Sequence, residues 1–165
     1  MDEAAKKTTL RMIPYGLFVV TTKHGDEVGA ATINWMTQVS FQPPLVALGV
    51  KADSGTLAHI KAGGEFAVNV LGAGQKDSAF AFFNPTQIDG NKISGHEFET
   101  RATGAPLLLD APAWFECRAT DFVERGDHTV VVAEVIDAGV RRESAALTLA
   151  ECGVCALETR RGWRL

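Results

Sequence analysis

The chain has 165 residues, 46% of them hydrophobic and 22% charged, a composition that supports one compact domain spanning 1–165 and excludes a disordered or low-complexity protein. Sixteen Lys and Arg against twenty Asp and Glu leave a net charge of -4, which disfavours nucleic acid and anionic membrane surfaces as partners. Three Cys, an odd number, follow an opening MDEAAKKTTLRMI with no apolar signal core. They point to free thiols in a reducing cytoplasm, and no apolar run approaches the roughly 20 residues of a membrane span.

No repeat or linker is visible along the chain. Asp2 to Met12 predicts a short amphipathic helix that Pro14 ends. Tyr15 to Thr22 (YGLFVVTT) and Glu27 to Asn34 (EVGAATIN), joined by the Gly-containing turn Lys23 to Asp26, predict a hairpin. After Pro43-Pro44, Leu45 to Val50 (LVALGV) is apolar on both faces and predicts a central strand. Ser54 to Ala62 starts on a capping hydroxyl and stops at Gly63-Gly64, the pattern of a short helix. Glu65 to Leu71 alternates as a strand, and Gln75 to Phe83 places Ala79, Phe82 and Phe83 on one helical face. Asn84 to Gly104 is rich in turn residues with little periodicity, which predicts a long loop and a candidate lid. Ala113 to Glu124 and Thr129 to Ala138 then predict two long strands joined by the turn Arg125-Gly126-Asp127. Short strands with small helices between them predict a mainly β fold, a nearly closed antiparallel barrel with peripheral helices.

Two clusters carry candidate chemistry. In GAATINWMTQVSFQPPLV, the residues Thr32, Asn34, Trp35, Thr37, Gln38 and Ser40 crowd polar groups onto a strand expected to be buried. Unpaired, such groups would cost roughly 1 to 3 kcal/mol each. Either a polar aromatic ligand or neighbouring loop backbone satisfies them. In Lys51-Ala52-Asp53-Ser54-Gly55-Thr56, a cation, two hydroxyls and free helix N–H groups converge as a phosphate would require. The plainer reading has Ser54 capping the helix and Lys51 facing water. There is no G-x-x-x-x-G-K-[ST] and no G-x-G-x-x-G after a strand, so a nucleoside-triphosphatase or Rossmann domain is disfavoured. His24, His59, His96 and His128 lack paired spacing, so no metal site is expected. Cys152-Gly153-Val154-Cys155 has no second pair and reads as two incidental thiols, and Cys117 reads as a buried small hydrophobe.

The motifs PYGLFVVTT, GAATINWMTQVSFQPPLV, VKADSGT, PAWFECR and GDHTVVVAEV, in that order from Pro14 to about Ala138, resemble the flavin reductase-like family of FMN-binding split barrels. The resemblance implies a homodimer with FMN bound near the subunit interface and reduced by NADH or NADPH. It places Thr32, Ile33, Asn34 and Trp35 against the isoalloxazine and ribityl chain, with Thr37, Gln38 and Ser40 following. It places Lys51, Ser54 and Thr56 at the phosphate, Phe83 and Asn84 beside the flavin, and His128 of the G-D-H motif as the catalytic candidate toward flavin or dinucleotide; the plainer alternatives are a core aromatic at Phe83 and a hairpin residue pairing with Asp127 at His128. Two features depart from the family: Trp35 is bulkier than the small residue common there, and Leu147 to Leu165 lacks the tyrosine- or glycine-containing ending of many reductases.

The reading that follows is an NAD(P)H:flavin oxidoreductase, with a monooxygenase as an expected acceptor of reduced flavin. An FMN-holding electron-transfer or storage module that does not react with nicotinamide is the alternative, and a flavin-free scaffold comes last.

Overall fold

The computed structural model describes residues 1–153. Helix α1 (Glu3–Arg11) is capped by Asp2, whose carboxylate accepts from the N–H groups of Ala4 and Ala5, and it buries no residue. Strands β1 (Phe18–His24), β2 (Glu27–Ile33), β3 (Met36–Phe41) and β4 (Pro44–Lys51) follow. Next come helix α2 (Gly55–Gly63), strand β5 (Glu65–Val70) and helix α3 (Lys76–Ala81). The short strands β6 (Ile88–Asp89), β7 (Lys92–Ile93), β8 (His96–Thr100) and β9 (Pro106–Leu108) form a small antiparallel meander. The long hairpin of β10 (Ala113–Glu124) and β11 (His128–Val140) completes the larger sheet.

That sheet is antiparallel, in the order β2-β1-β5-β10-β11-β4-β3. Its two edges, β2 and β3, are consecutive in the chain and joined by Asn34 and Trp35 alone. Three Cα–Cα steps span at most about 11 Å, so the edges have to meet and the sheet has to roll up. The barrel therefore closes through covalent connection, and no ladder joins β2 to β3 among the described residues. Inside it pack Val20, Ile33, Leu48, Phe66, Val68 and Val131, with Leu57 and Ile60 of α2 plugging one end. A second apolar layer lies outside β1 and β2, where Val19 and Ala30 meet Ala79, Phe82, Ile93 and Leu147.

The mainly β architecture matches the reading from sequence, and three details differ from it. Strand β4 is next to an edge and fully buries only Val46, Leu48 and Val50, because its other face is only partly covered. The polar run of β3 is largely exposed, since an edge strand puts its polar groups in water and incurs no burial cost. The expected loop Asn84 to Gly104 contains β6, β7 and β8. These strands escaped notice because two-residue pairings leave no periodic signal.

Candidate functional site

The β2–β3 corner, the end of β4 and the start of β11 converge on one outward face. Alternation along β4 turns Val46, Leu48 and Val50 inward and leaves Gly49 half-buried and Lys51 exposed on the outside. Along β11 it buries Thr129 and Val131 and turns His128 and Val130 out. Register sets Lys51 opposite His128 and Gly49 opposite Val130. The Ala52 N–H donates to the Asp127 carbonyl at 2.9 Å, which locks the turn after β4 onto the turn before β11.

Trp35 lies over this face. The Gly49 N–H donates to its carbonyl at 2.8 Å. A Cβ on Gly49 would stand 3.1 Å from Trp35 Cε3 and 3.3 Å from Trp35 Cβ, so glycine is what lets the indole settle onto the strand. The indole and the His128 imidazole are 4.6 Å apart between centroids, tilted by 58°. Nδ1 of His128 is buried, with Asp127 Oδ1 at 3.1 Å. The two atoms are close without a formed hydrogen bond between them. Contact with His128 holds the Asp127 carboxyl below the usual carboxylate range.

The turn after β4 leads into the N-terminus of α2. The Ser54 hydroxyl accepts from the Leu57 N–H at 3.2 Å and donates to the Lys51 carbonyl at 2.7 Å. It is thus a helix cap, the plainer of the two readings given above. Thr56 is buried behind it. Gly55 and Thr56 supply the first N–H groups of the helix, which have no acceptor within it. The Lys51 ammonium lies 2.9 Å from Asp53 Oδ1 and 3.2 Å from Oδ2, and this contact pulls the Asp53 carboxyl down. A shallow depression of about 420 Å3 opens here, lined by Ala52, Asp53, Ser54, Gly55, Ala58 and Lys61.

The remaining expected contacts divide. Asn34 is half-buried at the corner beside Trp35. Thr32 is buried and donates its hydroxyl to the Ala79 carbonyl at 2.7 Å, and Ile33 is part of the barrel core. Thr37, Gln38 and Ser40 lie along β3, where the Thr37 hydroxyl donates to the Gln38 carbonyl and the Gln38 amide to the Ser40 carbonyl. Phe83 and Asn84 follow α3, whose end is tied to β2 by the Thr32 N–H donating to the Phe82 carbonyl at 3.4 Å. Phe83 stacks near Phe80, 5.9 Å between centroids. The structure thus gathers Trp35, Lys51 and His128 beside the turn that Ser54 caps, while Phe83 and Asn84 follow α3 next to β2.

Sequence reasoning missed Gly49 and gave Asp53 no role in this face, whereas the pairing of His128 with Asp127 is the plainer of the two readings offered for that histidine. A glycine inside LVALGV was the available signal for a close approach; nothing local shows that Asp53 turns back onto Lys51. Elsewhere, burial pushes the Cys117 thiol up to about 12, which keeps it protonated and unreactive as expected of a core residue. Cys152 is buried in the second apolar layer, and Cys155 lies outside the described residues.

An aromatic face on a strand, a buried imidazole nitrogen, an ammonium and free helix N–H groups together fit an aromatic ligand that carries phosphate. The sequence model of the flavin reductase like domain matches residues 10–158. The chain belongs to this family. The NADH-dependent flavin reductase StyB of Pseudomonas fluorescens is 32% identical over 148 residues, which cover 88% of this chain and 83% of that protein. A probable flavin reductase of Rhizobium meliloti (strain 1021) is 31% identical over 136 residues, 81% of this chain and 42% of the relative. Among solved structures, the NADH:FAD oxidoreductase SgcE6 of Streptomyces globisporus C-1027 superposes with a TM-score of 0.78 at 33% identity, covering 89% of this chain and 88% of that one. The same enzyme is known in complex with NAD and FAD fragments. The chain spans under half the length of the Rhizobium relative and 22% of a diflavin flavoprotein of Synechocystis. No helix among the described residues is long and apolar enough to cross a membrane.

Proposed function

We propose that the protein is an NAD(P)H:flavin oxidoreductase of the cytoplasm, a homodimer that binds FMN across the Trp35, Lys51 and His128 face and passes reduced flavin to a monooxygenase. The whole chain, 1–165, serves as one flavin-binding domain. The observation that carries this reading is the register that sets His128, in ring contact with Trp35, opposite Lys51, the residue that leads through the Ser54 cap into α2. Aromatic recognition and phosphate recognition thus lie on one face. The relatives support it through their own activities, NADH-dependent in StyB and NADH:FAD in SgcE6.

Flavin supplies the hydride-accepting chemistry, and the residues of the chain bind and orient. The Trp35 indole offers a flat apolar face. Lys51 and the Gly55 and Thr56 N–H groups attract a phosphate, with one terminal phosphate, as in FMN, suiting a single ammonium. His128, its Nδ1 side turned to Asp127, orients the ligand or the nicotinamide through the rest of its ring. Holding both partners on one face makes the transfer effectively intramolecular.

The deciding assay follows nicotinamide absorbance after mixing protein with NADH or NADPH, with and without FMN. Catalytic loss only when protein and FMN are both present is expected, with His128→Ala lowering kcat/KM by about tenfold or more, the equivalent of one good contact. Flavin binding without nicotinamide consumption would instead establish the electron-transfer module.

A further inference from the structure

Lys51, just before α2, and Lys61, in its last turn, are both already held by carboxylates. Lys51 is gripped by both oxygens of Asp53, at 2.9 and 3.2 Å, and Lys61 is paired with Glu124. Asp127 adds a third carboxylate, its carbonyl bonded to Ala52 and its side chain against His128. With Arg125 of the same turn, three permanent cations face three carboxylates, so this corner offers no surplus positive charge to an arriving dianion.

The geometry points to Asp53 as an affinity-setting residue: its carboxylate competes with the flavin phosphate for the Lys51 ammonium and keeps flavin binding loose. The inference rests on the proposed flavin reading and adds to it a reason for exchange. A phosphate reaching Lys51 has to share its ammonium with Asp53, which stands beside it as a like charge. Both partners are largely exposed, with side-chain accessibilities of 58% and 75%, so the pair opens readily and the effect is graded rather than blocking. Loose binding suits a flavin that enters oxidised and leaves reduced in each turnover, where a permanent cofactor would need an unopposed cation. The lowered Asp53 carboxyl agrees with a side chain ionised throughout the physiological range.

The test is equilibrium titration of flavin fluorescence with wild-type protein, Asp53→Asn and Lys51→Ala, using FMN and riboflavin as the two probes. Riboflavin carries the same ring and ribityl chain without the phosphate. Asp53→Asn is expected to tighten FMN about five-fold and leave riboflavin unchanged, as removal of one exposed like charge near the phosphate requires. That gain is expected to shrink towards nothing in 0.5 M salt, where charges are screened within a few ångströms (about 4 Å). Lys51→Ala is expected to weaken FMN alone. If Lys51→Ala weakens FMN while Asp53→Asn leaves it unchanged, or tightens FMN and riboflavin alike, the role of Asp53 is overturned and the flavin site stands. If Lys51→Ala leaves FMN unchanged, the phosphate site itself is overturned, and the role of Asp53 falls with it. Both positions are on the surface, and thermal melts of each variant verify that the fold is retained.

Discussion

At the scale of single residues, the site depends on the absence of a side chain. Gly49 faces outward in a strand whose other outward positions, Leu45, Ala47 and Lys51, carry one. The space a Cβ would fill is taken by the Trp35 indole at 3.1 Å. Gly49→Ala is expected to displace the indole by a few tenths of an ångström and loosen its contact with His128. The predicted cost is about 1 kcal/mol of stability, the low end of overpacking, together with altered tryptophan emission and weaker flavin binding. Unchanged emission and flavin affinity would show that Trp35 does not depend on this seat. Trp35 itself was legible as an anomaly of the sequence, but its support was not, because Trp35 and Gly49 are joined only by the pairing of β3 with β4.

At the scale of elements, the segment expected to be a free lid is pinned by a buried carboxylate. Glu116 of β10 is fully buried. It accepts from the Ala102 N–H at 3.0 Å, and from the Thr103 N–H at 2.8 Å and the Thr103 hydroxyl at 2.6 Å. Ile93, also fully buried, anchors the meander into the second apolar layer, and the Thr86 hydroxyl accepts from the Ala30 N–H at 2.9 Å. Glu116→Gln keeps the shape but replaces one acceptor oxygen by a donor facing N–H groups. A loss of about 1 to 3 kcal/mol in urea unfolding is expected from the donors left unpaired. The complementary readout is hydrogen exchange, which should rise at residues 101–104 well before the barrel strands. Uniform exchange across the chain would show that Glu116 holds the barrel as a whole and not this segment.

At the scale of the molecule, the uncovered outer face of the sheet bears on assembly. Val123 and Val130 are cross-strand partners on that face, 48% and 41% exposed, and Phe41 at the β3 end is 90% exposed. Apolar surface of this kind, beside the proposed flavin face, is where a second copy is expected to pack. Sedimentation should return a dimer for the wild-type chain. Val130→Glu should shift it to monomer with the circular dichroism spectrum retained, since the side chain points out of the barrel. A wild-type monomer would remove the homodimer from the proposal, and a dimeric Val130→Glu would move the interface elsewhere.

Local chemistry alone determined much of this protein. The cap at Asp2, the helix from Ser54 to its glycine stop, the β1–β2 and β10–β11 hairpins and the mainly β class all rest on neighbours in the chain. So did the candidate roles of Lys51, Ser54 and His128, carried by short motifs and the family they resemble. The tertiary structure alone decided which residues share a face. It drew Thr32 and Ile33 into packing, left Thr37 and Gln38 in water on an edge strand, and brought the local pairs Lys51–Asp53 and Asp127–His128 side by side. The physical reason is that alternation along a strand sets a side chain's direction only modulo two, and which of the two directions is inside depends on where the strand sits in the sheet. That position is set by strands as distant in sequence as β4 and β11, whose pairing brings Lys51 opposite His128.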